Sequence, residues 1–342
     1  MPNYAAAAII AALVVYLLVI GKALLLPLVL AIFVWYLINA LAAQFGHIRL
    51  RGGTLPPWGR YGAAILLLLA VVWFVVNLVA GSIGQVGQAA PVYEQNLRQL
   101  LEKVTAMLGL QELPSLQAIF EGMNLSDVIR RLVAAVTGIA GNTGAMLIYV
   151  TFLLLEQGSF RRKIAALFPD PEREALVHRI LQRIGEEIQT YIWLKTLTSL
   201  LTGFLSYLVM KIIGIDFAEF WALLIFALNY IPYIGALLGV VFPALIALVQ
   251  FESVAPFAAA TGLLALIQFL IGNVLEPRLL GKGLNISPLI MLLALAFWGS
   301  IWGVTGMFLA VPIMVVVMIV CSNFERARPV AILLSENGQL RS

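Results

Sequence analysis

Charge is scarce in this sequence. Only 11% of its 342 residues are Asp, Glu, Lys or Arg, against roughly a quarter in soluble domains. Cysteine is scarcer still: the single Cys321 excludes an intramolecular disulfide, and at the end of an apolar run it reads as a small buried hydrophobe. The two histidines, His47 and His178, fall in segments expected outside the membrane. There is no HExxH helix, GxSxG elbow or phosphate-cradling Gly-rich loop. Zinc hydrolysis, serine catalysis and ATP-driven pumping therefore lack their groups, so no enzyme activity, cofactor or metal is expected. The net charge of +4 is too small and too scattered to hold nucleic acid. The first residues lack a basic n-region and a cleavage site, so Tyr4–Ile20 is expected to be a retained span rather than a removed signal.

Apolar residues fill the space: 62% of the chain is hydrophobic and the mean hydropathy is +1.00. Runs long enough to cross about 30 Å of hydrocarbon recur at 4–20, 23–43, 61–81, 133–155, 196–214, 217–250, 254–275 and 284–321. They are continuous rather than alternating, which predicts helices and not the strands of a barrel. The expected fold is an all-α polytopic membrane protein. About six helices cross fully, and 217–250 and 284–321 form two broken helical hairpins, either re-entrant or pairs of short crossings, entering from opposite faces. The expected organisation is N-terminal transmembrane helices over 1–81, an extracytoplasmic amphipathic region over 82–132 and a transmembrane helix over 133–155. A cytoplasmic amphipathic helix over 156–195, a transport core over 196–321 and a cytoplasmic tail over 322–342 follow.

Charge placement orients the chain. If 44–60, 156–195, 276–283 and 322–342 are cytoplasmic, they hold 15 of the 21 Lys and Arg, including Arg161, Arg162 and Lys163. This bias in short loops is what the positive-inside rule reads. It predicts an inner (plasma) membrane protein with both termini cytoplasmic.

The two long runs cannot be single crossings. Pro232, Gly235, Gly239 and Pro243 interrupt the first, and Gly299, Gly303, Gly306 and Pro312 the second. Their later halves look alike, GALLGVVFPALIALV beside GVTGMFLAVPIMVVV. Paired Gly/Pro-interrupted segments point to a transporter's binding site, because broken backbone at membrane depth needs protein or water around it. Against this stands the ordinary use of Gly and Pro as kinks in membrane helices.

Two amphipathic stretches extend from the bundle. Tyr93, Leu97, Leu100, Leu101, Val104 and Leu108 share a helical face, which Leu113-Pro114 ends, and Asn124 or Ser126 could cap a following helix. After Pro171, the residues Val177, Leu181, Ile184, Ile188 and Tyr191 repeat at 4-3-4-3. Such a face lies either against the membrane or bundle, or against another subunit.

Ionisable groups at membrane depth are few, so the intramembrane chemistry is mostly neutral. Thr198, Ser199, Thr202 and Ser206 fit interhelical packing as readily as a pathway. Asn229, Tyr230, Tyr233, Gln268, Asn273, Glu276 and Trp298 form the candidate solute site. Amides and hydroxyls there replace water on a small neutral, hydroxylated solute, and rings pack on its carbons. Anchoring at the interface is the other reading of Tyr230, Trp298 and Trp302, and mutual pairing that of Glu276 and Arg278. Glu156 and Glu276 are the candidates for an alternative proton or cation site.

FALNYIPYIGALLG, IGNVLEPRLLGKGLNISPLI and FWGSIWGVTGMFLAVPIMVVV together resemble the autoinducer-2 exporter (AI-2E) family, formerly an uncharacterised permease group. YIWLKTLTSLLTGFLSYLVMKIIGIDFAEFW and the tail AILL resemble its TqsA-like branch, and LLLPLVLAIFVWYLINAL resembles the family's second span. At Trp193-Leu194-Lys195 the sequence departs from many relatives, where a basic residue and glycine often follow the tyrosine. The resemblance implies export of the quorum-sensing signal autoinducer-2 from an inner membrane by an elevator-like, alternating-access core. It also implies a homo-oligomer, with a pentamer favoured. Some relatives are regarded as sodium or lithium/proton antiporters, which leaves antiport as the alternative. A non-transporting membrane assembly protein is the third.

Overall fold

A computed structural model describes residues 3–46, 49–50, 53–108, 143–280 and 285–340. The expected ends and caps at Leu113-Pro114, Asn124 and Ser126, and the start of the 133–155 helix, lie outside these residues.

Helices dominate, as the absence of alternating patterns predicts. They are α1 (Asn3–Ile20), α2 (Lys22–Gly46), α3 (Pro57–Leu108), α4 (Thr143–Leu167) and α5 (Pro171–Ile213). Then come α6 (Ala218–Leu228), α7 (Ile234–Phe251), α8 (Val254–Phe269), a π-helical turn (Leu270–Leu275), α9 (Glu276–Leu280), α10 (Pro288–Asn323) and α11 (Arg328–Leu334). One short antiparallel pair joins Arg49–Leu50 to Gly53–Thr54. Among the described residues, six helical stretches are long and apolar enough to cross a membrane: 22–46, 57–82, 171–213, 234–251, 254–279 and 288–323.

Two expected boundaries fall inside continuous helices. The span at 61–81 and the amphipathic stretch beyond it are both part of the 52-residue α3. The cytoplasmic helix and the span at 196–214 are both part of the 43-residue α5. No proline stands at the join in α5, and α3 runs on through Gly84, Gly87 and Pro91. Local chemistry marks the ends of α5 instead. Asp170 Oδ1 accepts the Glu172 amide at 3.1 Å, and Glu172 and Glu174 in the first turn suit the positive end of the dipole. At the other end Gly214 adopts φ 85°, and the Ile215 amide reaches back to the Met210 carbonyl at 2.9 Å. That is a glycine-terminated helix stop.

The chain divides into two compact units. Unit 1 comprises Met1–Leu66, Ile139–Trp193 and Lys282–Ser342. Its core packs Leu26 and Leu30 of α2 against Ile301, Trp302 and Leu309 of α10, and the Trp302 Nε1–H donates to the Leu18 carbonyl at 3.2 Å. The Trp35 Nε1–H donates to Gln157 Oε1 at 3.1 Å, fixing α2 against α4. The tail helix α11 buries Ala331, and the Ser287 amide donates to the Leu334 carbonyl at 2.9 Å, tying the tail to the foot of α10.

Unit 2 comprises Leu67–Gly138 and Leu194–Gly281. Here α6 and α7 form a helical hairpin, and α8 packs along α7. The far part of α3 grips the hairpin's base: the Tyr93 hydroxyl donates to Asp216 Oδ2 at 2.7 Å, and Asn96 Nδ2 donates to the Val249 carbonyl at 3.1 Å. Burial, then the hydrogen bond and charge of Asp216, hold the Tyr93 phenol well above its ordinary pKa, so it remains a donor.

Candidate functional site

Both broken segments turn by the same device, each inside its own unit. In unit 2 the break covers Asn229 to Tyr233, between α6 and α7. The Ile234 amide donates to the Pro232 carbonyl at 2.7 Å, closing a γ-turn about Tyr233 at φ 62° and ψ −56°. A Cβ on Gly235 would land on the Leu228 carbonyl oxygen, so glycine alone lets the two arms meet. In unit 1, α10 breaks at Gly303, with φ 66° and ψ −148°. A Cβ on Gly306 would land on the Trp298 carbonyl oxygen, and one on Gly299 would meet Met307 Cε at 2.6 Å. Residues eight apart would be about 12 Å apart along a straight helix, so α10 doubles back. By role, the partner of Gly235 is Gly306 rather than Gly303. Pro243 and Pro312 stand buried within helices and do not end them. Gly239 lies within α7, where its missing side chain makes room for Gln268.

The hairpin tip in unit 2 meets a polar face of α5. From Lys195 onward, the buried residues of α5 are Lys195, Thr198, Ser199, Thr202, Gly203, Ser206 and Met210, which recur each turn as one helical stripe. Thr198 and Thr202 bond to carbonyls of their own helix, those of Lys195 and Thr198, which is a packing role. Ser199 faces outward to the hairpin and accepts from Asn229 Nδ2 at 3.0 Å. The Thr196 and Tyr230 hydroxyls lie 2.6 Å apart. Ser206 Oγ is buried without a partner.

The other wall is α8. Its buried face runs Ala260, Leu264, Gln268 and Ile271. The π-helical turn over Leu270–Leu275 then widens the helix and brings Glu276, not Leu275, to the polar centre. Such turns occur often at functional sites. Lys195 Nζ lies 2.8 Å from Glu276 Oε1 and 2.9 Å from Oε2, with side chains 7% and 17% exposed. Gln268 is 8% exposed. Its Nε2 has no acceptor and sits 3.0 Å from where a Gly239 Cβ would be. A buried donor left unpaired costs about 1–3 kcal/mol and offers a bond to an incoming oxygen.

Of the seven candidate residues, Asn229 and Tyr230 meet α5 at the hairpin tip, Glu276 meets Lys195 of α5, and Gln268 lies beside Gly239 of α7. Tyr233 and Asn273 are exposed. Trp298 belongs to unit 1, where its ring lies 5.0 Å from that of Trp302. Glu276 pairs with Lys195 rather than with Arg278, which is exposed. Glu156, in unit 1, pairs with Lys163 at 2.9 Å. Sequence reasoning misses Lys195 as a site residue, because the expected cytoplasmic segment ends at that position. The signal is present: one further four-residue step beyond Tyr191 lands on it.

The profile of the AI-2E family of transporters matches residues 7–326. YhhT of Escherichia coli (strain K12), assigned by name only to transport, is 31% identical over 316 residues, 91% of this chain and 88% of its own. The AI-2 transport protein TqsA of the same strain is 28% identical over 320 residues, 92% and 90% of the two chains. A Haemophilus influenzae protein, likewise assigned by name only to transport, is 28% identical over 288 residues, 82% of each chain.

Proposed function

This chain belongs to the AI-2E family of transporters, and from that premise we propose that it exports a small, neutral, hydroxylated solute, with autoinducer-2 as first candidate. The six long apolar helices and its transporter relatives make it a multi-pass membrane protein. In this reading it sits in an inner (plasma) membrane with both termini cytoplasmic, among lipids, as a homo-oligomer for which a pentamer is favoured. The solute binds at the tip of the α6–α7 hairpin. Alternating access follows from elevator-like displacement of the core that carries the site.

One observation carries this reading: the buried Gln268 amide without an acceptor, held beside Gly239 of the α7 arm. The two arms of the hairpin differ in reach: α7 is long enough to cross, and α6 is not. Its 11 residues reach about 16 Å, roughly half the hydrocarbon thickness. The AI-2 transport protein TqsA supplies the choice of solute. Antiport of sodium or lithium for protons is the alternative reading, with Glu156 and Glu276 as its candidate carboxylates; they pair with Lys163 and Lys195.

The test is uptake of labelled autoinducer-2 into proteoliposomes, with a lumenal pH dye under sodium or lithium pulses. Saturable solute flux without a pH response, lost in Asn229→Ala, is expected. A cation-driven pH response without solute flux would move the function to antiport.

A further inference from the structure

Among the described residues, Lys195–Glu276 is the ion pair beside the neutral bonds of α5 to the hairpin tip, and the proposed solute gives it no work. Burying an ion pair contributes little to stability, because desolvation offsets the attraction. Removing one partner is far worse, since the other charge is then stranded. The π-helical turn is a further departure from regular structure, and it sets Glu276 against Lys195. Two unfavourable devices thus converge on one contact.

We propose that the Lys195 ammonium is a tethered counter-cation, filling by covalent attachment a monovalent-cation site whose anchor is Glu276. The ammonium and a small monovalent ion can meet the same requirement, one positive charge against both carboxylate oxygens. Nζ does this at 2.8 and 2.9 Å. Thr196 follows Lys195 in α5, and its hydroxyl lies 2.6 Å from that of Tyr230 at the hairpin tip. With the ammonium in place, the centre carries no net charge and needs no sodium or lithium to load a neutral solute. Without it, Glu276 must be accompanied by a free cation. This deepens the proposed solute site, but it concerns the charge balance of that site and not the identity of the solute.

The experiment uses the full chain, purified in detergent, with Tm measured in sodium, lithium or choline chloride at one ionic strength. Wild type is expected to melt alike in all three. Lys195→Met is expected to melt lower in choline and to regain Tm saturably with sodium or lithium, by mass action on the vacated site. Lys195→Met/Glu276→Gln is expected to lose that dependence. Should Lys195→Met fail to fold, Glu276→Gln alone keeps the proposal testable. Its stranded ammonium then makes Tm depend on chloride against gluconate, and not on the cation. A cation-insensitive Lys195→Met protein, an anion-insensitive Glu276→Gln protein, or a wild type as cation-dependent as the variant would overturn the proposal. No solute enters these measurements, so failure of the melting assay bears on the charge balance alone and failure of the flux assay on the solute alone.

Discussion

Gly235→Ala is the sharpest test of the hairpin tip. Its added methyl would fall on the Leu228 carbonyl oxygen. That obstacle is backbone, so no rotamer change relieves it, and the two arms must part. Overpacking of this kind costs about 1–3 kcal/mol and occasionally more, and a backbone obstacle belongs at the upper end. The gain from replacing a helical glycine is at most about 1 kcal/mol. The net loss is therefore ~2 kcal/mol, or roughly a 30-fold shift in the folding equilibrium. For a unit of this size that lowers Tm by about 4–8 °C. Gly306→Ala meets the Trp298 carbonyl in the same way and should fall by a similar amount. Gly262 in α8 has nothing within 4 Å of an added Cβ, so Gly262→Ala should keep or slightly raise Tm. Thermal scans of the three purified proteins are sufficient. If Gly235→Ala and Gly262→Ala melt within a degree of each other, the arms do not meet as described.

Other outcomes follow from single contacts. Gln268→Met removes a buried donor without an acceptor; it should raise stability by ~1 kcal/mol while solute flux falls, a split read by Tm against proteoliposome uptake. Asn229→Ala severs the bond to Ser199 and should cost about 1–3 kcal/mol, with flux lost beyond what the melting explains. Tyr93→Phe deletes the hydroxyl that holds Asp216 and should cost ~1.5–3 kcal/mol. Hydrogen exchange would then quicken at the base of the hairpin, around Asp216 and Val249, before it does at the tip.

The helical class, most of the long apolar stretches and the two broken segments are legible in the sequence, because they rest on composition and on residues with unusual backbone freedom. Gly235 and Gly306 announce a close approach of main chains without saying which carbonyl is approached. The merging of spans and amphipathic stretches into α3 and α5 is less legible. A change from apolar to charged surface looks like a boundary, whereas the helix itself ends only where a cap or glycine such as Gly214 stops it. Glu276 is legible as a candidate and its partner is not, because the neighbouring Arg278 lies closer in sequence than Lys195. The π-helical turn that turns Glu276 toward Lys195 leaves no periodic signature that six residues could carry.

The corners of the α6–α7 hairpin have an evolutionary and practical consequence. Phe217, Tyr233 and Glu252 are its turning points, at φ 56°, 62° and 48°, a region where a residue with a Cβ is disfavoured by about 1–2 kcal/mol. Glycine would sit there without that strain, at an entropic cost of roughly 0.5–1 kcal/mol. Selection for stability alone would therefore drift toward glycine at all three. Phe217 has a visible reason to resist, since its ring lies 6.4 Å from that of Tyr93. Tyr233 is 53% exposed and lacks so plain a packing reason. A directed-evolution campaign that screens for thermal tolerance alone should therefore converge on Tyr233→Gly well before it reaches Phe217→Gly.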